Sequence, residues 1–278
     1  MKSKSAAFYI SVFAIFLGII SPALFSDGMF MDGLIYANIA KNLANGMGSF
    51  WYLKFSETFF SAFHEHPPLA MALQSIFIKI FGDSIYVERF YSMGSFLITG
   101  YIMVLIWKEV CDKKMAEIAW LALILWISIP LVTWAAANNM LENTMMVFTS
   151  LSVFFMLKSA NTKVISYTGL AGLMLFFAFL SKGFTALFPL SLFFWLWVFN
   201  WQSSFSFKNF LIHTFLLLLS FLLPFFLIYL FDDEAVRSLE NYFNIQVLNS
   251  LNNIQTVDSR YYILYRLLRE LIPALLIA

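Results

Sequence analysis

Seven stretches of this chain, roughly 7–24, 89–107, 115–135, 143–157, 164–180, 183–200 and 209–230, are apolar and carry at most one charged residue each. An eighth begins near 262 and runs into "LIPALLIA" at Ala278. Backbone amides in lipid find no water, so long apolar runs are stable there only as helices that satisfy their own N–H and C=O groups. That pattern predicts an all-α, polytopic membrane bundle of about seven to eight spanning helices. Composition agrees. Hydrophobic residues make up 61% of the 278 and charged residues 12%, where soluble domains average about 25% charged. The formal net charge of +1 gives no basis for nucleic-acid binding. The single cysteine, Cys111, has no internal partner for a disulfide.

Lys2 and Lys4 before an apolar stretch also fit a secretory signal. The stretch from Ala6 to Ala23 is longer than a signal core and no A-x-A site follows it, so an uncleaved first helix is expected. The whole of 1–278 reads as one membrane domain. The apolar ending at Ala278 reads as a truncation at the C-terminus.

Lysines orient the helices. Basic residues concentrate in short cytoplasmic loops, which puts the N-terminus inside an inner (cytoplasmic) membrane. The segment "FHEHPPLAMALQSIFIKIFGD" (63–83) then decides the topology. If 67–81 spans, Lys108, Lys113, Lys114, Lys158 and Lys163 all fall outside, against the rule. If it lies on the outer surface, they fall inside, together with Lys208. The segment is also shorter than the roughly twenty residues needed to span, and Pro67 and Pro68 suit the start of an interfacial helix. The surface placement leaves long outer loops at 25–88 and 231–261, which form the expected site face. Short outer turns fall at 136–143 and at Ser181–Gly183. Ile35, Ile39 and Leu43 predict an amphipathic helix in the first loop, with Asn38, Lys41, Asn42 and Asn45 on its polar side. Val236, Leu239, Phe243 and Val247 predict another in the last.

This topology gathers the conspicuous charges on one face. Asp32 follows the first helix, where it serves either as an N-cap or as a carboxylate poised at the membrane surface. Glu142 lies in a short turn with Asn138, Asn139 and Asn143, as a solvated charge or a second site acid. Arg89, Lys182 and, more weakly, Arg260 are cations at helix ends, explained singly by snorkelling and jointly by an anionic ligand. His64 and His66 flank Glu65, but two histidines without a wider Cys/His cluster are a weak metal signal. No cofactor is expected and a metal has no support. His213, inside an apolar helix, reads as a hydrogen-bonded packing residue. P-loop, G-x-S-x-G, H-E-x-x-H and dinucleotide-binding patterns are absent from the sequence.

In order along the chain, "MDGLIYANIAKNL", "HEHPPLAMAL", "FGDSIYVERFYS", "NNMLENTMMVF" and "FLSKGFTALFPL" resemble motifs of the GT-C membrane glycosyltransferases of the protein O-mannosyltransferase class, whose bacterial relatives include the lipid A aminoarabinose transferase. The resemblance covers nearly all of the chain and implies a sugar donor on a polyprenyl monophosphate. It further implies a lipid, glycan or protein hydroxyl as acceptor, and inversion at the anomeric carbon. It implies Asp32 and Glu142 as catalytic acids and Arg89, Lys182, His66 and Arg260 as donor-phosphate ligands. Two departures stand out: Gly33 where the family often has a second acid, and Glu142 where Asp is usual. A transporter or a non-catalytic membrane fragment is the alternative. A transporter calls for polar residues or broken helices near the midplane.

Overall fold

The structure is a computed structural model that describes residues 2–59, 61–162, 164–201, 205–249, 259 and 261–278. The described residues are helical apart from loops and two isolated β-bridges, Gly48 with Leu53 and Leu53 with Phe63. The helices are α1 (Lys2–Leu24), α2 (Met31–Ala44), α3 (Leu69–Phe81), α4 (Val87–Val110), α5 (Lys113–Ala116), α6 (Trp120–Ile127), α7 (Pro130–Ala137), α8 (Leu141–Thr162), α9 (Ser166–Lys182), α10 (Leu192–Val198), α11 (Phe207–Phe231), α12 (Asp233–Tyr242) and α13 (Tyr262–Ile277). Four stretches among them are long and apolar enough to cross a membrane: 6–24 in α1, α4, 166–198 and α11.

The expected count of seven to eight is not reached on that criterion, and each shortfall has a local cause. The expected 115–135 helix is broken into α6 and α7, bent by 81°. Pro130 opens α7 because proline has no N–H to continue a helix and its ring clashes with the preceding turn. The expected 183–200 helix starts as a 3-10 segment, Gly183–Ser191, which contains Pro189, and becomes α-helical only in α10. Helix α8 has 22 residues, enough to span, but Thr, Ser and Asn lower its hydropathy. Helix α13 has 16 residues.

The chain reverses at Gly183 (φ +77). Beyond it Ala186 packs in one cluster with Ala178, Leu190 in another with Leu175, and Phe193 in a third with Ala171. The 166–198 stretch is therefore a hairpin, with Lys182 at its tip. Gly172 sets the distance from α9 to α11: a Cβ there would lie 2.6 Å from the Leu217 carbonyl oxygen. At the end of the bundle remote from Lys182, Asn161 donates to the Glu109 carbonyl (2.9 Å) and accepts from Trp201 Nε1 (2.8 Å). There too, His213 lies 2.7 Å from Thr168 Oγ1 and 3.3 Å from Ser159 Oγ, the hydrogen-bonded packing role expected of it.

Helix α3 does not run through the bundle. It packs against α2 and touches α4, α8 and α9. Leu69 packs with Leu180 near the tip of α9, and Ile78 packs with Val87 at the start of α4. Both of its ends thus lie at the end of the bundle that carries Glu142 and Lys182. Gly82 (φ +85) terminates it, and Asp83 then pairs with Lys41 of α2. Helix α2 buries Tyr36, Ile39 and Ala40. Its polar side is less open than its composition implies, since Asn38 donates to the Phe55 carbonyl (3.0 Å) and Asn42 to those of Lys54 (3.0 Å) and Phe55 (2.7 Å). The apolar stripe expected in the last loop is kept in part: Leu239 and Val247 pack against the cluster that holds Tyr242, α12 also buries Ala235 and Ser238, and Phe243 is exposed.

Candidate active site

The first loop and the α7–α8 turn are locked together around Asp32. The N-cap of α2 is Phe30 rather than Asp32, and its N–H donates to Asn138 Oδ1 (2.8 Å). Gly33 lies against the same turn, where a Cβ would be 2.1 Å from the Asn138 carbonyl oxygen. The fold has no room for a second acid at that position. Asn139, held at φ +50, donates to the Gly33 carbonyl (3.1 Å) and to Gln74 Oε1 (3.3 Å). These bonds fix α2, α3 and the turn as one body. They leave the Asp32 carboxylate half-buried, with no hydrogen bond or ion pair to a described residue.

Glu142, in the first turn of α8, follows directly. Its Oε1 pairs with Lys182 Nζ at the tip of the α9 hairpin, and its Oε2 is buried without a partner. Tyr242 secures that tip. Its hydroxyl accepts from the Phe184 N–H (3.4 Å) and occupies the place a Cβ on Gly183 would need, 1.8 Å away. Alpha-12 is fastened to the first loop in turn. Trp51 Nε1 donates to Asp232 (3.0 Å), Ser49 to Glu234 (2.7 Å) and Ser238 to the Trp51 carbonyl (2.7 Å).

His66 lies beside this group, edge-on to the Tyr36 ring at 5.8 Å, with Nδ1 buried and unpartnered. Burial, and then the positive charge of Lys182, push its pKa down to about 4, against a smaller upward pull from Glu142. His66 is therefore neutral near pH 7. Burial and the Asp32 charge raise the Glu65 carboxyl above its usual value. Asp32 thus acts on Glu65, and Lys182 and Glu142 act on His66, while Asp32, Glu65 and Glu142 all bear on Tyr36 at one end of the bundle.

The other candidates are placed elsewhere. Arg89 is buried, and its guanidinium donates to the carbonyls of Leu24, Ser26 (2.9 Å) and Gly28. It closes the C-terminal end of α1 and has no contact with the acids. His64 is buried against the Tyr52 ring, 3.3 Å from Ser238 Oγ, and burial lowers its pKa. Arg260 lies outside the described residues. Among the described residues no group of three or more His, Cys, Asp or Glu has the arrangement to hold a metal ion. Sequence reasoning missed Tyr36 and Gln74. Tyr36 had a signal, since it stands four residues after Asp32 and shares its helix face. Gln74 had none within an apolar run.

Residues 65–229, over half of the chain, match the profile of the dolichyl-phosphate-mannose-protein mannosyltransferase family. The chain belongs to that family. The match takes in His66, Arg89, Glu142 and Lys182, and Asp32 precedes it. Two crystal structures of ArnT from Cupriavidus metallidurans share the fold. The form bound to undecaprenyl phosphate gives a TM-score of 0.66 at 16% identity, and the apo form 0.66 at 17%. Each superposition covers 94% of this chain and 48% of ArnT, so the chain spans about half the length of that protein. No curated protein matches the sequence. The family and the fold together make this a GT-C membrane architecture.

Proposed function

We propose that this mannosyltransferase-family chain carries a glycosyl-transfer site, which moves a sugar from a polyprenyl-phosphate donor to a hydroxyl acceptor with inversion. We place that site on the outer face of an inner membrane. The observation that carries the reading is the pairing of Glu142 with Lys182 beside His66, together with the shared reach of Asp32 and Glu142 onto Tyr36, where the helices meet the interfacial α2 and α3. A lipid-borne donor needs that location, with its tail in the bilayer and its phosphate at the surface.

In this reading the acceptor hydroxyl attacks the anomeric carbon while its proton passes to the Asp32 carboxylate. The bond from the anomeric carbon to the phosphate oxygen breaks, and its electron pair leaves with the polyprenyl phosphate. A carboxylate base is needed because a neutral hydroxyl is a weak nucleophile. The transition state has oxocarbenium character, which nearby carboxylates also stabilise. The leaving phosphate gains charge, and a fixed cation offsets it. Lys182 is that cation. Without donor it pairs with Glu142. With donor it turns to the phosphate, and Glu142 becomes free to orient the acceptor. His66, being neutral, contributes a hydrogen bond rather than a charge, and Arg89 acts by holding the 24–28 segment that leads into α2.

The test is transfer from a polyprenyl-phosphate sugar by Asp32→Asn and Glu142→Gln variants. Each is expected to lose about 10²-fold or more in rate while still inserting in the membrane. Unchanged transfer in both variants overturns the reading.

A further inference from the structure

Tyr36 lies within the motif that carries Asp32 but has been given no role so far, and the charges of Asp32, Glu142 and Glu65 all bear on it. It is 4% exposed, one helical turn beyond Asp32 on α2. Its ring stands edge-on to His66 at 5.8 Å and to Phe63 at 6.4 Å, in planes inclined by 70° and 72°. The ring is buried, but the hydroxyl is not among the unpartnered polar atoms sealed from solvent. It makes no hydrogen bond with any described residue, so its proton is free to go to an incoming ligand. Burial, and then the negative charges of Asp32, Glu142 and Glu65, raise its pKa far above the usual phenol range. It therefore stays protonated at every physiological pH and acts as a donor that adds no charge.

We propose that the Tyr36 hydroxyl donates a hydrogen bond to a phosphate oxygen of the polyprenyl-phosphate donor, from the side of His66 and Lys182. The proposal rests on the glycosyl-transfer reading. An acceptor hydroxyl entering here meets three carboxylates, each a better acceptor for its proton than a phenol oxygen. The group that lacks a partner in this field is the incoming anion. It is opposed by three carboxylates, with Lys182 alone as a full positive charge among the residues gathered here. A neutral donor on a rigid ring lowers that opposition without adding a fourth titrating group.

The experiment uses Tyr36→Phe, which removes one oxygen and keeps the ring contacts. Binding of undecaprenyl phosphate, and separately of undecaprenol, is measured on the detergent-solubilised full chain by intrinsic tryptophan fluorescence, with melting temperature as a fold control. Lys182→Met serves as the reference for a lost phosphate ligand. A lost hydrogen bond to a charged group corresponds to about tenfold or more in affinity. The expected result is at least tenfold weaker binding of undecaprenyl phosphate by Tyr36→Phe, with undecaprenol binding and melting temperature as in wild type. Wild-type affinity for undecaprenyl phosphate in Tyr36→Phe overturns the proposal, and so does an equal loss for undecaprenol, which marks a packing effect. If Tyr36→Phe binds normally while Lys182→Met does not, the glycosyl-transfer reading stands without Tyr36. A wild-type chain that binds no undecaprenyl phosphate overturns that reading, and the proposal falls with it.

Discussion

At the scale of single residues, the site is defined by protonation as much as by position. His66 shows this. Its pKa is about 4 in the folded chain, against about 6.5 for a solvated imidazole. Between those values the unfolded chain binds the proton that the folded chain refuses. The contribution of His66 to stability is therefore full at neutral pH and is lost as pH falls from about 6.5 through about 4. Burial depresses His64 in the same sense, and the raised carboxyl of Glu65 acts in the opposite one. The His66 share is isolated by comparing wild type with His66→Gln. Melting temperature in detergent between pH 7 and pH 4 is expected to fall less steeply in the variant, and parallel curves would refute the assignment. None of this was visible in "HEHPP", because a histidine's charge depends on what folds over it. Asp32, Glu142 and Lys182 were legible for the opposite reason: charged residues beside long apolar runs are costly enough to stand out. Tyr36 was hidden among twelve tyrosines in a chain that is 19% aromatic.

At the scale of elements, Arg89 is the instructive case. Sequence placed it with the phosphate ligands, as a cation at a helix end near the site. The fold gives it the carbonyl of Leu24 at the end of α1 and those of Ser26 and Gly28 just beyond, joining that helix to α4 and setting the path of the chain into α2. Arg89→Met would remove the donor to three part-buried carbonyls, at an expected cost of about 1–3 kcal/mol, seen as a lower melting temperature. Transfer per folded molecule should stay within a few-fold of wild type. A large loss of transfer at unchanged melting temperature would instead return Arg89 to the phosphate. Helix existence was legible from apolar length. Helix continuity was not, because Pro130 and Pro189 each stand inside runs whose hydropathy alone predicts an unbroken span. The glycines are similar. The sequence marked Gly183 as part of a turn and Gly33 as a departure from the family pattern, but not that a tyrosine hydroxyl or backbone fills their Cβ positions while the space at Gly94 is open.

At the scale of the whole molecule, one segment decides whether a site exists. Had residues 67–81 crossed the membrane, Asp32 and Glu142 would stand on opposite sides. With both ends of α3 beside the Glu142 end of the bundle, they share a side, and the lysine count predicts that this side is the outer one. The prediction separates this from a chain inserted the other way. In a background with Cys111→Ser, single cysteines replace Glu57 in the first loop and Asp112 before α5, both exposed residues at opposite ends of the bundle. A membrane-impermeant maleimide applied to intact spheroplasts should label position 57 and leave 112 unlabelled until the membrane is opened. The reverse pattern would place the acids at the cytoplasmic surface. Labelling of both positions from outside would mean that an additional segment crosses, and 67–81 is the run with the composition to do so. In either case a lipid-phosphate donor presented on the outer leaflet could not reach Lys182, and the transfer reading would fail for geometric reasons before any catalytic residue was altered.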